Sequence, residues 1–311
     1  MSTNFNNSST SSYYLPNSSG VINNKLLLLK KGVWLYFLLL VFEGALRKWF
    51  LPGLALPLLV IRDPIALFII LQCWKLNLLP STPYLAITIL VGIVAIFTAL
   101  FLGHGSLPVA IFGARILLIH FPLTFAIGRI FNMDDVVKIG RTILYISIPM
   151  TVLIALQFYS PQSAWVNRGV GGALEGAGFS GSGDYFRPPG TFSFTSGNTL
   201  FYSLLTPFVI YFLLKPKEIN RFVLLAALLG LICSIPLSIS RSLFFQVIIS
   251  VFFTILAVGR KPQNLGRILI FFVIAVIAVL GLSNLSFFQT ATEAFTNRFE
   301  NANESEGGLN G

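Results

Sequence analysis

Residues 84–102 read YLAITILVGIVAIFTALFL, a run with no charge and no proline. Wound as a helix at 1.5 Å per residue it reaches about 28 Å, close to the thickness of a bilayer's hydrocarbon core. No polar–apolar alternation competes for a strand. A lone helix also satisfies its own backbone hydrogen bonds, as lipid requires. This stretch sets the class, and the rest of the chain repeats it. Apolar blocks lie at about 32–50, 54–74, 84–102, 107–128, 142–159, 197–214, 222–239, 242–259 and 267–288. They predict an all-α polytopic membrane protein with about nine transmembrane helices. Glu43, Arg47, Arg62 and Asp63 interrupt the first two blocks.

Composition agrees. The 311 residues are 55% hydrophobic and 10% charged, with a mean hydropathy of +0.81; soluble domains carry roughly 25% charged residues. The net charge of +10 is not a nucleic-acid signal, because no basic run with interleaved aromatics occurs. Cys73 and Cys233 both sit inside apolar blocks and read as packing residues. A Walker loop, a dinucleotide fingerprint and a histidine–carboxylate cluster with metal spacing are all missing. The expectation is therefore no cofactor and no metal.

Charge sets the expected orientation. With the N-terminus in the cytoplasm, the inner ends collect Lys25, Lys30, Lys31, Lys75, Arg129, Lys138, Arg141, Lys215, Lys217, Arg221, Arg260, Lys261 and Arg267. The outer set is then Arg47, Lys48, Arg62, Arg115, Arg168, Arg187, Arg241 and Arg298, almost pure arginine. Insertion has no use for these, so they call for another explanation. Residues 1–24, rich in Ser and Asn, read as a disordered tail; 25–288 form the membrane domain. A glycine-rich outward loop spans 160–196. The segment 289–311 reads as the beginning of a second outward loop, and the odd span count predicts a truncated chain.

Within that loop, Tyr185–Asn198 reads YFRPPGTFSFTSGN and runs straight into a span. Pro188-Pro189-Gly190 forces a turn, and Thr195 or Ser196 can cap the following helix. Arg187 adds a permanent cation with a planar donor fork, an arrangement suited to a phosphate or pyrophosphate group. The alternative is a helix entry with a solvated arginine. Glu43 and Arg47, four apart, have the spacing of an on-face ion pair; with Arg62 and Asp63 they are either functional or neutralise each other and lock two helices. Ser238-Ile239-Ser240-Arg241-Ser242 joins two spans with almost no loop, and Ser240 can cap the second. Arg241 is then held at the outer rim, for a ligand or for lipid phosphates. Arg115 lies in the fourth block with His120 after it and His104 before; these histidines read as general-base candidates or as hydrogen-bonded helix residues. Asp134-Asp135 reads as a solvated loop.

Three of these stretches together carry a resemblance. Phe42-Glu43-Gly44-Ala45-Leu46-Arg47-Lys48-Trp49 with Ile61-Arg62-Asp63-Pro64, then Arg187-Pro188-Pro189-Gly190-Thr191-Phe192-Ser193, then Ser238-Ile239-Ser240-Arg241, resemble motifs of the O-antigen polymerase/ligase superfamily, over roughly residues 40–300. The resemblance implies a GT-C-like bundle in the bacterial plasma membrane and an inverting, metal-independent glycosyltransferase. Its substrate would be a polyprenyl-diphosphate-linked glycan at the outer face, with membrane lipids and a polysaccharide chain-length regulator as partners. Arg187 and Arg241 match the positions thought to hold the diphosphate. Arg47, Arg62 and Arg115 would contribute to the same field, and Thr191, Ser193, Asn198 and Ser240 would line the substrate. Glu43, Asp63 and Glu175 are the candidate bases. Only His104 and His120 occur, so the ligase branch's late-loop histidine has no counterpart. That points to a polymerase or to a missing C-terminal part. A lipid-glycan flippase, which should show paired repeats and a lined path, and a non-catalytic scaffold are the rival readings.

Overall fold

The apolar blocks are helices. The computed structural model describes residues 19–176, 179, 181–259, 266, 273, 276, 277, 280–282 and 284–305. In chain order the helices are α1 (Ser19–Ala45), α2 (Ala55–Leu59), α3 (Arg62–Lys75), α4 (Pro83–Phe101), α5 (Leu107–Arg115), α6 (Phe121–Ile130), α7 (Met133–Tyr159), α8 (Thr195–Leu214), α9 (Arg221–Leu237), α10 (Arg241–Gly259) and α11 (Ser286–Ser305). No strand occurs among the described residues, only an isolated bridge between Ser182 and Tyr185.

Five helical stretches are long and apolar enough to cross a membrane: Pro52–Lys75, Pro83–Phe101, Leu107–Ile130, Met133–Tyr159 and Thr195–Leu214. Arg221–Leu237 and Arg241–Ala257 are shorter apolar helices. These match the second to eighth apolar blocks in order. The first block falls in α1 and its π-helical continuation Leu46–Phe50; the ninth, 267–288, lies largely outside the described residues. Large apolar side chains stay exposed along α4 (Leu90, Val94, Phe97, Phe101) and α10 (Phe245, Ile249, Phe252, Phe253). Water would penalise such faces, whereas lipid solvates them. The protein is thus an all-α, membrane-embedded chain.

Three local expectations are corrected. The tail read over 1–24 lies outside the described residues up to position 18, and α1 begins at Ser19. Asp134-Asp135 is the first turn of α7, not a solvated loop. There the Asn132 side chain accepts from the Asp135 N–H while the Asp135 carboxylate accepts from the Asn132 N–H, a reciprocal cap that starts the helix nine residues before its apolar block. Residues 286–305, read as an outward loop from 289, form α11. It buries Phe288, Ala291 and Ala294, and it sets Phe295 and Phe299 against Phe244 at ring separations of 6.0 and 6.1 Å. Polar and acidic residues between these positions hide a helical stripe.

Contacts divide the chain into two units, Met1–Tyr36 with Ile65–Ile130 and Phe37–Pro64 with Phe131–Gly311. In the first, α4 packs on α5. The π-helical turn Ile116–His120 sits between α5 and α6, and His120 Nδ1 meets the Tyr36 hydroxyl at 3.0 Å. In the second, α7, α8 and α9 pack on one another around Ile143, Leu144, Ile154, Tyr202, Leu205, Val209, Ala227 and Leu228. Thr151 and the buried Tyr202 hydroxyl bond at 2.8 Å, so this apolar core holds no stranded phenol.

Candidate functional site

The second unit brings the quoted motifs into one assembly. The end of α1 lies against the Gly190–Ser193 backbone, and Gly44 makes the approach possible. A Cβ built there would stand 2.5 Å from the Phe192 carbonyl carbon and closer still to Ser193 N and Thr191 O. Around this contact the hydroxyl of Thr191 donates to Val41 O at 2.6 Å. Lys48, only 1% exposed, donates to Gly190 O at 2.6 Å and Phe192 O at 2.9 Å. Arg47 donates from Nη1 to Ser193 Oγ (2.9 Å) and from Nε to Ala55 O (2.8 Å). Glu43, 5% exposed, meets Arg47 Nη1 at 3.1 Å through one oxygen and Arg62 Nε at 3.0 Å through the other.

Gly190 is held from behind as well. Its N–H donates to Gln157 Oε1 at 2.8 Å, and its carbonyl accepts from Gln157 Nε2 at 3.2 Å. Its φ of +61° closes the Pro189–Phe192 turn, in which Phe192 N donates to Pro189 O at 3.1 Å. This is backbone that a side chain would resist. Asn167 Nδ2 braces the preceding corner through the Gln157, Ser160 and Pro161 carbonyls. Asn198, 1% exposed, donates to Pro188 O at 3.2 Å, while its Oδ1 is buried without a donor among the described residues.

The third motif joins from α9 and α10. Ser240 Oγ accepts from the Leu243 N–H at 3.3 Å, the cap its sequence position predicts, and meets Thr199 Oγ1 of α8 at 3.2 Å. Ile239 holds a positive φ of 46°, an uncommon conformation for a β-branched residue. Its Cδ1 lies 3.0 Å from where a Cβ on Gly181 would stand. The Gly181 carbonyl accepts from Arg298 Nη1 of α11 at 2.5 Å. Arg187, Arg241 and Arg298 therefore gather at one end of the unit. Burial pushes the Arg187 guanidinium below its ordinary pKa, and the Arg298 charge pushes it further. Arg298 is lowered likewise, by burial and then by Arg241. Arg187 Nε is buried without an acceptor among the described residues.

This separates the predicted site residues. Arg298, which the sequence placed only among the outer arginines, lies near enough to Arg187 for its charge to act on that guanidinium, and near enough to Arg241 to feel its charge in turn. Arg47, Arg62, Thr191, Ser193 and Ser240 spend their hydrogen bonds inside the protein. Glu43 is the centre of an ion triad, the helix-locking alternative, and both its oxygens are engaged; that geometry does not present a base. Asp63 sits in the first turn of α3, its N–H donating to Val60 O at 3.0 Å, and Glu175 is exposed in the loop. Arg115 belongs to the other unit, its guanidinium 3.9 Å over the Phe112 ring. Thr195 and Ser196 do not cap α8: Phe194 occupies the cap position with no side-chain bond. Sequence reasoning missed Lys48, Gln157 and Asn167. For Lys48 a signal existed, since it is the one lysine in the outer set. Among the described residues no three His, Cys, Asp or Glu side chains could hold a metal ion. Comparison with family models, curated proteins and solved structures returned no match.

Proposed function

We propose that the chain is a polymerase-type glycosyltransferase of the bacterial plasma membrane, with nine spans in a GT-C-like bundle and its N-terminus inside. It joins glycan units carried on polyprenyl diphosphate at the outer face. The carrying observation is the gathering of Arg187, Arg241 and Arg298 beside the assembled motifs. Mutually repelling guanidinium groups at a membrane rim match a multiply anionic ligand. In the transfer, an acceptor hydroxyl oxygen bonds to the anomeric carbon of the donor sugar from the face opposite the diphosphate. The carbon–oxygen bond to the diphosphate breaks, its electron pair leaving on the diphosphate oxygen, and the hydroxyl proton passes to a base. Negative charge grows on the departing group, and fixed guanidinium donors in a partly desolvated site stabilise it without reorganising.

The test is polymer formation by purified protein in liposomes supplied with a lipid-linked oligosaccharide. Arg187→Lys and Arg241→Lys keep the charge but lose the planar fork, and each is expected to slow transfer about 100-fold. Full-length polymer at the parental rate in both variants refutes the proposal.

A further inference from the structure

We infer that a cavity at the far end of α7 and α8 from the arginines is a binding site for a phosphate-bearing anion. It stands apart from the transfer chemistry: α7 alone places the two about 30 Å apart. The cavity holds about 600 Å³, within the usual range for a small-ligand site. Asp134, Lys138 and Arg141 line one wall, spaced to share a face of α7; Tyr211, Lys215 and Glu218 line the other.

The donors are partly committed and partly left over. Glu218 is engaged within the wall: Oε2 accepts from the Tyr211 hydroxyl at 2.9 Å, and Oε1 lies 3.5 Å from Lys215 Nζ. Arg141 donates once, from Nη2 to the Glu218 backbone carbonyl at 2.9 Å, which fixes its fork, and its Nε is buried without an acceptor among the described residues. Neither Lys138 nor Arg141 forms an ion pair with a carboxylate among the described residues. Three cations thus face two carboxylates, one already countered in place. The Arg141 guanidinium and the Lys138 ammonium on α7 suit the tetrahedral oxygens of a phosphate, and Lys215 at the end of α8, which already donates to the Tyr211 hydroxyl at 3.1 Å, adds its charge from across the cavity. The source is either an anionic lipid headgroup, which a basic helix end at a membrane surface attracts, or a free phosphate.

Thermal unfolding of the full chain in uncharged maltoside micelles tests this at constant ionic strength. One arm titrates inorganic phosphate and the other phosphatidylglycerol. A rise in Tm in either arm is expected. The half-maximal concentration should increase about fivefold for each of Lys138→Gln and Lys215→Gln. Both lysines are exposed, so these variants keep the fold. An Arg187→Gln variant separates this site from the arginine end and should leave the shift intact. A rise with lipid alone assigns a headgroup, and one with phosphate alone assigns a soluble anion. The inference is overturned by no rise in either arm, by a rise indifferent to both lysine substitutions, or by one abolished in Arg187→Gln.

Discussion

Replacing Gly44 by alanine tests the contact on which the assembly of motifs depends. The added methyl would meet backbone rather than side chain, the nearest carbon being Phe192 C at 2.5 Å against an ordinary contact of 3.4 Å or more. Backbone in a loop pinned by Gln157 and Lys48 cannot rotate aside, so helix and loop must part by about 1 Å. The Thr191–Val41, Arg47–Ser193, Lys48–Gly190 and Lys48–Phe192 bonds, now 2.6 to 2.9 Å, then stretch beyond useful length. The three bonds from Arg47 and Lys48 are charge-assisted and contribute about 1.5–3 kcal/mol each, and the neutral Thr191 bond about 1 kcal/mol, so Gly44→Ala should cost about 3–5 kcal/mol after partial relaxation. Reversible unfolding in mixed micelles, with Gly53→Ala as control, reads the difference; a Cβ at Gly53 meets nothing within 4 Å. If the two variants unfold within about 0.5 kcal/mol of each other, the close packing of α1 on the loop is refuted.

The ion triad and the α10 cap give two more tests. Glu43→Gln leaves Arg47 and Arg62 in a confined site without their carboxylate and should destabilise the fold by about 3–5 kcal/mol; in a chain already carrying Arg62→Met the same substitution should cost less, and an equal cost would mean Glu43 acts independently of Arg62. Ser240→Ala removes the acceptor of the Leu243 N–H and should cost about 1 kcal/mol in the same unfolding assay, whereas an unchanged midpoint would show that the cap carries no stability.

The spans were legible because a run such as residues 84–102 admits no other lipid-compatible structure. The helix starts were legible only where one residue decides them. Ser240 caps as its position says, whereas the Asn132–Asp135 exchange looked like two solvated acids because its partner is a backbone N–H. The stripe of α11 was diluted by acids and asparagines. The site was legible as residue types and not as pairings. Arg187 and Arg241 stood out because topology left them over, while the partner of a buried Lys48 lies 142 residues away, a separation at which no local spacing carries information.

That distinction also sorts the arginines read as outer, which the sequence could treat only as one set. A guanidinium offers a limited fork of donors, and each bond made to the protein is one fewer for a ligand. Arg47 engages Ala55, Ser193 and Glu43, and Arg62 engages Glu43; both are tied to the one Glu43 carboxylate. Such residues set the position of the Gly190–Ser193 backbone and cannot also follow a substrate as its charge changes. Arg187, three residues upstream of Gly190, sits on the segment they hold still. In the proposed reaction the two groups divide the labour: the arginines paired with Glu43 supply the rigidity that makes electrostatic stabilisation cost no reorganisation, and the mutually repelling ones supply the field itself. Loss of Arg47 should then appear first as loss of fold, and loss of Arg187 as loss of transfer in a chain that still unfolds at the parental midpoint.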